Sequence, residues 1–524
     1  MTHFKASWAA LGATLVVAAC GGGGGTPLGT QDNSVARGSL VQNPPPRIVS
    51  LSAAELTGKL QTNSTGQGLL QVAGTPTCGV DVQYVLYGTV GGAGEKTTAS
   101  GALMVPNGTD PKCSGARPIV LYAHGTTIGK SYNLADFTDT TNPGYSEAVL
   151  IATFYAAQGY IVVAPNYAGY DVSDLPYHPY LNADQQSKDM IDMLAAAKKA
   201  LPTSFQSGVT ASTKLFITGY SQGGHVAMAT HRAMQAAGIA VTAAAPMSGP
   251  YALAAQSDAT YLGNVNAGGT IFTPLITTSY QKAYGNLYTT PADLYEAAYA
   301  TGIESLLPSA TLDFTSVVTT GKLPQLALFS NTAPTAPAGS GLQPTLNALT
   351  PPKTGAATDA LFAAGFGPGN LIKNSARLGV LLDAFANPDG AVPTFTTGLP
   401  ATKPASTLRQ AVKTNDLRGW TPQTPVLMCA GNGDPTVFYL NTSLMSALWT
   451  PLVKAGLVTV VDVDSLKSSP GPAADPFYAA KAGFAQAVAQ TAAAGGATAV
   501  VGNYHGGLVP PFCNAVVRGF FGKF

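Results

Sequence analysis

Gly219-Tyr220-Ser221-Gln222-Gly223-Gly224 is the stretch around which the rest of the chain reads. Before it, Lys214-Leu215-Phe216-Ile217-Thr218 is a short apolar run that ends at a glycine. After it, residues 225–238 are alanine-rich and read as a helix. Strand, tight G-x-S-x-G turn and helix are the context of a nucleophile elbow, which strains the serine backbone and lifts its Oγ above a sheet. Gly219 and Gly223 are required there because side chains would collide where strand and helix pack closely. The N-terminus of the helix then lies beneath any negative charge that develops at the serine.

Working outward, Pro118-Ile119-Val120-Leu121-Tyr122-Ala123, Tyr160-Ile161-Val162-Val163-Ala164 and Ala240-Val241-Thr242-Ala243-Ala244-Ala245 read as strands buried on both faces of a parallel sheet. Helices are expected over 146–157 and about 183–200. This alternation predicts an α/β fold with a mostly parallel central sheet. Ahead of it, Gln83-Tyr84-Val85-Leu86-Tyr87 and Ala99-Ser100-Gly101-Ala102-Leu103-Met104-Val105 flank a Gly91-Gly92-Ala93-Gly94 turn and read as a hairpin.

The alternation stops near Gly249. Residues 250–420 are rich in Tyr, Pro, Thr and Ala and are expected to be mainly helical with irregular connections. Tyr280, Tyr284, Tyr288, Tyr295 and Tyr299 fall near helical spacing and read as a packing stripe. Strand-like runs resume at Pro425-Val426-Leu427-Met428-Cys429 and Leu457-Val458-Thr459-Val460-Val461. A last helix is expected over 476–493, and Thr498-Ala499-Val500-Val501 reads as a strand-like run leading into Asn503-Tyr504-His505. The α/β core therefore spans 47–249 and 421–524, with 250–420 inserted as a large, mainly helical cap.

The chain has 524 residues and a net charge of +1, with 46% hydrophobic and 10% charged residues. Near-neutral charge argues against nucleic acid as a partner, which would require a Lys/Arg excess. At the N-terminus Lys5 precedes an apolar run from Trp8 to Ala19, too short for a membrane span and the size of a signal-peptide core. It ends Val17-Ala18-Ala19-Cys20, like a bacterial lipobox. Residues 1–20 thus read as a lipoprotein signal peptide with Cys20 the lipidated residue, and 21–46 as a flexible tether. The expected location is outside the cytoplasm, lipid-anchored to a bacterial outer membrane or cell surface, or secreted. Contact with membrane is through that anchor alone, and the chain is read as a monomer.

A serine hydroxyl becomes a useful nucleophile only when a base takes its proton and a third group orients the base. Of six histidines, His3 lies in the signal peptide, His124 in a His-Gly turn and His178 before a helix. His225 and His231 lie on the helix after Ser221 and cannot approach it from above the sheet. His505, beside Gly506-Gly507, is therefore the expected general base. The orienting carboxylate belongs between serine and histidine, after a strand. Asp434 in Gly431-Asn432-Gly433-Asp434-Pro435 fits best, with Asp462 and Asp464 next and Asp416 third. The oxyanion donors are expected to be the backbone N–H of Gln222 and, in the loop after the 118–123 strand, that of Thr126. Such chemistry needs no metal or organic cofactor.

Apart from Cys20 the cysteines are Cys78, Cys113, Cys429 and Cys513, none with zinc-ligand spacing. In an oxidising compartment they read as two disulfides with three possible connectivities. Cys78 and Cys113 bracket the hairpin; Cys429 precedes the aspartate loop and Cys513 follows the histidine. These placements favour Cys78–Cys113 and Cys429–Cys513.

The chain resembles the secretory-lipase (lipase A-like) family of exported bacterial esterases and lipases, within the α/β-hydrolases. The resemblance rests on Tyr122-Ala123-His124-Gly125-Thr126, Val163-Ala164-Pro165-Asn166-Tyr167-Ala168-Gly169-Tyr170, Gly219 to His225, and Gly431-Asn432-Gly433-Asp434. It covers roughly 75–524 and is strongest over 118–250. Asn166 stands where that family usually carries an acidic residue. The resemblance implies hydrolysis of carboxylic esters, small or lipid, with the acyl chain under the cap. A peptidase or amidase using the same three residues, and a non-catalytic surface binding protein, are the rival readings.

Overall fold

The structure, a computed structural model, describes residues 35–203, 208–355 and 358–524. Cys20, the signal peptide and most of the expected tether lie outside the described residues.

Nine strands form one sheet: β1 Arg47–Leu51, β2 Gly79–Val90, β3 Lys96–Asn107, β4 Gly115–Ala123, β5 Ile161–Pro165, β6 Val209–Tyr220, β7 Ala243–Met247, β8 Val426–Ala430 and β9 Val458–Asp462. Their order is β1-β2-β3-β5-β4-β6-β7-β8-β9. From β5 to β9 every neighbouring pair is parallel. β1, β2 and β3 add an antiparallel flank. Residues 119–123, 161–165, 243–247 and 426–430 are wholly buried, as parallel strands covered on both faces must be. The connections out of β4 run to β5 on one side, while β6 lies on the other. The carboxyl ends of β4 and β6 therefore form a topological switch point, where open α/β sheets bind ligands.

Helices α1 Ala53–Gln61 and α2 Ser64–Ala73 precede the hairpin, α3 Tyr145–Phe154 and α4 Ala183–Ala200 flank β5, and α5 Gln222–Ala236 follows β6. A capping box starts α1: Ser52 Oγ accepts from the Glu55 amide and the Glu55 carboxylate accepts from the Ser52 amide. Among the described residues of 250–420 the chain forms no strand of the sheet. There α6 Leu253–Tyr261, α7 Gly269–Tyr284 and a further helix, Asn374–Ala386, are accompanied by shorter helices and irregular turns, and an apolar cluster around Leu275, Tyr280, Tyr295, Phe329 and Leu381 fills the region. No helix among the described residues is long and apolar enough to cross a membrane.

The chain departs from the sequence reading in four places. Residues 35–46, expected to end the tether, lie on the folded body. The Gly38 and Val41 amides donate to the Gly88 and Leu86 carbonyls of β2, and Arg37 pairs with Asp192 at 2.9 Å. Strand β1 and helices α1 and α2 have no counterpart in that reading, being short and without a long apolar run. The tyrosine stripe is not one helical face: Tyr280 and Tyr284 lie on α7, while Tyr288 and Tyr295 lie beyond its end. Finally, 498–501 is not a strand. The helix Tyr478–Asn503 passes through a break at Gly496 (φ 71°) and continues over these residues. Alanine-rich flanks outweigh the local β-branched preference. A further helix, Val509–Phe521, starts at Pro510-Pro511, which suit a first helical turn.

Both disulfides have the expected pairing. Cys78–Cys113 closes the hairpin and Cys429–Cys513 spans 84 residues. Structural disulfides belong to oxidising compartments and so point to export.

Candidate active site

Strand β6 ends at Tyr220 and α5 begins at Gln222, so Ser221 alone makes the turn. Its φ of 60° and ψ of −122° lie in a region that L-residues rarely occupy. The conformation is held by hydrogen bonds on both sides: the Ser221 amide donates to the Met247 carbonyl of β7, and the Ser221 carbonyl accepts from the Gly224 amide. A Cβ at Gly223 would strike the Ala123 carbonyl of β4, which explains the glycine.

Ser221, His505 and Asp434 come together from three distant parts of the chain. Ser221 Oγ is 2.7 Å from His505 Nε2, and His505 Nδ1 is 2.6 Å from Asp434 Oδ2. Asp434 Oδ1 accepts the amides of Thr436 at 2.9 Å and Val437 at 3.0 Å. Asp434 offers only acceptors, so His505 Nδ1 carries a proton and Nε2 presents a lone pair to the serine hydroxyl. His505 is not in a loop after a strand. It lies in a single π-helical turn, Tyr504–Leu508, between the last two helices. Such turns displace a side chain from regular helical spacing.

Asp462, Asp464 and Asp416 take other places. Asp462 accepts the Asn432 and Asp464 amides, shaping the loop that carries Asp434. Asp464 accepts from Tyr504 Oη at 2.7 Å, and that oxygen accepts the Gly433 amide at 3.0 Å. A Cβ at Gly431 would stand 2.5 Å from the same hydroxyl oxygen. Tyr504 thus sets the aspartate loop against the histidine beside it. Asp416 pairs with Arg418 and accepts the Ala254 amide of α6.

Two further side chains that the sequence did not single out support the site. Tyr220 Oη donates to the His505 carbonyl at 2.5 Å, and its ring packs 5.1 Å from the imidazole. Burial, and Asp434 nearby, hold that phenol well above its ordinary pKa, so it stays a donor. Glu147 on α3 accepts the Gly125 amide at 3.1 Å and the hydroxyls of Tyr122 and Tyr132, fixing the loop after β4. The motif G-Y-S could have pointed to Tyr220; nothing local pointed to Glu147.

Thr126 lies in that loop and Gln222 begins α5, so both border Ser221. Neither backbone N–H donates to an acceptor among the described residues. His124 is buried, stacked between Tyr132 and Tyr167, with its ring nitrogens at the Gly125 and Asn166 carbonyls. Asn166 Oδ1 accepts the Leu134 amide and Nδ2 donates to Ser100, bonds that a carboxylate could not all make.

Ser221 opens onto two spaces. A narrow one runs under α6 and α7, past Leu253, Phe272, Ile276 and Val412, with about 90 Å³ of room for the centre of a water molecule. A wider cleft of about 570 Å³ on the same measure contains His505, Gly125 and Thr126, with the half-exposed Phe314 at its rim. Among the described residues no cluster of His, Cys, Asp and Glu is arranged to hold a metal ion.

The prolyl oligopeptidase family model matches residues 147–266, from α3 through the elbow to just beyond α6. Among solved structures the chain is similar to the rice cell wall degrading esterase LipA from Xanthomonas oryzae, with 24% identity, 92% of this chain and 98% of that chain covered, and a TM-score of 0.63. It is also similar to a protein from Legionella pneumophila, with 18% identity, coverage of 81% and 91%, and a TM-score of 0.58. No curated protein matches it. The fold is that of the α/β-hydrolase superfamily.

Proposed function

We propose that the protein hydrolyses carboxylic esters through an acyl-enzyme on Ser221. The observation that carries this reading is the relay from Ser221 Oγ to His505 Nε2 at 2.7 Å and from His505 Nδ1 to Asp434 at 2.6 Å, on an elbow that sets the serine at the border of both spaces. His505 takes the hydroxyl proton as Oγ attacks the ester carbonyl, and Asp434 stabilises the imidazolium that forms. The oxyanion accepts from the Thr126 and Gln222 amides, whose N–H groups meet no acceptor among the described residues. His505 then protonates the departing alcohol and activates a water molecule against the acyl group. The cleft beside His505 suits the alcohol, since the proton donor must face the leaving oxygen. The narrow space beneath the cap suits the acyl group.

Export with a lipid on Cys20 is part of this proposal, supported by the lipobox-like Val17-Ala18-Ala19-Cys20 and by the disulfides. Labelled palmitate should enter the wild-type protein and not Cys20→Ser. The test of the reaction is hydrolysis of p-nitrophenyl esters from acetate to palmitate. Ser221→Ala should lose at least about 10⁴-fold in kcat with its Tm unchanged; a folded Ser221→Ala that keeps most of its activity refutes the assignment. The match to the prolyl oligopeptidase family favours a second reading, amide cleavage by the same residues. A higher kcat/KM on an anilide than on its matched ester would establish it.

A further inference from the structure

The connection between β5 and α4 ends in the turn Pro176-Tyr177-His178-Pro179-Tyr180-Leu181-Asn182, where Tyr180 and Leu181 line the narrow space beside Ser221. Two of its side chains reach the two residues whose amides would bind the oxyanion. Tyr180 Oη and Thr126 Oγ1 are 2.7 Å apart. His178 Nε2 and Gln222 Nε2 are also 2.7 Å apart. His178 Nδ1 lies 2.9 Å from the Ala168 carbonyl oxygen, so Nδ1 bears the proton and donates there. Nε2 is then an acceptor, and the Gln222 side-chain amide donates to it. Burial holds the His178 imidazole down to about 3, which keeps the ring a neutral acceptor across the working pH range.

The turn is itself tied to every neighbouring layer. Asn182 Oδ1 accepts the Gln185 amide and caps α4. The Ala183 amide donates to Asn415 Oδ1 at 2.8 Å, and the Leu181 carbonyl accepts from Tyr280 of α7 at 3.1 Å. Leu181 has φ 53°, a left-handed conformation that is unfavourable for leucine. Strain of this kind persists only where the surroundings over-determine the backbone, and it clusters at functional sites. The two donors belong to separate elements, a loop after β4 and the first residue of α5. No acceptor among the described residues holds their amides, so their aim depends on what grips the residues that carry them.

We infer that His178 and Tyr180 are positioning residues: one turn holds Gln222 and Thr126 together and sets the spacing of the two oxyanion donors. The inference rests on the esterase reading of the Ser221 site. Its expected signature is loss of transition-state stabilisation without loss of substrate binding.

The test compares Tyr180→Phe, His178→Asn and His178→Gln with the wild type on p-nitrophenyl butyrate and against a trifluoromethyl ketone of the same acyl length, whose hemiketal oxygen occupies the oxyanion hole. Tyr180→Phe and His178→Asn should each lower kcat about tenfold, a fraction of what a deleted donor costs. KM should stay within about twofold, by the same argument, and Ki for the ketone should rise by the factor that kcat loses. His178→Gln, whose amide oxygen can accept from Gln222, should recover most of the loss. Unchanged kcat in folded variants overturns the inference, as does a rise in KM at constant kcat or an unaffected Ki. Tyr180→Phe removes one oxygen atom and keeps the test decisive if the His178 variants fail to fold. Wild-type protein that turns over no ester would refute the proposed function separately. The rate at which a fluorophosphonate loses fluoride to Ser221 would then still decide, because it loads negative charge onto the same amides. Tenfold slowing in the variants supports the positioning role, and an equal rate rejects it.

Discussion

The sheet core and the cap over 250–420 are built on different physics. In the core, strands buried on both faces interlock through one continuous apolar cluster, and order is repetitive along the chain. The cap has an apolar cluster of its own, but its irregular turns are gathered around buried arginines. Arg409 binds Asp258 with two nitrogens and Asp383 with a third, and Arg418 is clasped in the same way by Asp389 and Asp416. Arg377 has no carboxylate partner among the described residues. It donates to the Tyr261 and Leu349 carbonyls and lies over the rings of Phe329 and Phe366, and burial lowers its pKa to about 10. Apolar packing tolerates substitution of similar volume, whereas a charge taken from such a clasp strands its partners in a dry interior.

The contrast can be broken most directly at Arg418. Arg418→Met leaves Asp389 and Asp416 buried without a counter-ion and should cost about 3–5 kcal/mol in urea unfolding. A loss below about 1 kcal/mol, the range of a surface pair, would mean that the clasp does not hold the cap. Replacing Arg409, Asp258 and Asp383 together by apolar residues of similar volume should cost less than Arg409→Met alone, because no charge is then stranded.

A smaller effect is expected in the core, where Cys429–Cys513 joins the strand before Asp434 to the helix after His505. The paired serine variant should lose about 2–4 kcal/mol. The same change at Cys78–Cys113, which closes 35 residues, should cost less. Equal losses would argue that strain or residual structure, and not loop length, sets the contribution.

The smallest effect at neutral pH belongs to the seam between the regions. His225 and His231 on α5 are buried against the Asn415 carbonyl and the Thr424 hydroxyl, and burial lowers both to about 4. Their folded pKa lies below the unfolded value of about 6.5, so the unfolded chain binds more protons between these limits. The stability they contribute is complete above about pH 6.5 and is lost as pH falls toward 4. His231→Gln should reduce the slope of unfolding free energy against pH in that window by about one proton. An unchanged slope would place the titration elsewhere.

The same contrast governs what could be read from the sequence. The core strands were legible because burial on both faces leaves continuous apolar runs, and the elbow because its glycines are forced by close backbone approach. The approach of Asp434 and His505 to Ser221 followed chain order and elimination. The π turn that carries His505 did not, because Thr498 to Val501 carries a β-branched signal that its alanine-rich neighbours override. Arg409, Arg418, His178 and Tyr504 act on partners far along the chain, and no local pattern announces them. Glu147 was hidden for the same reason: an acidic residue in a first helical turn reads as an ordinary dipole partner.

Ser221 also sets a conflict between durability and work. At φ 60° and ψ −122° its backbone suits glycine better than any residue with a side chain. Ser221→Gly should therefore melt higher than the native protein while lacking the proposed nucleophile, whereas Ser221→Ala keeps the strain and gains nothing. Selection for stability alone would erase the proposed nucleophile, so a serine in this conformation is one that its chemistry retains.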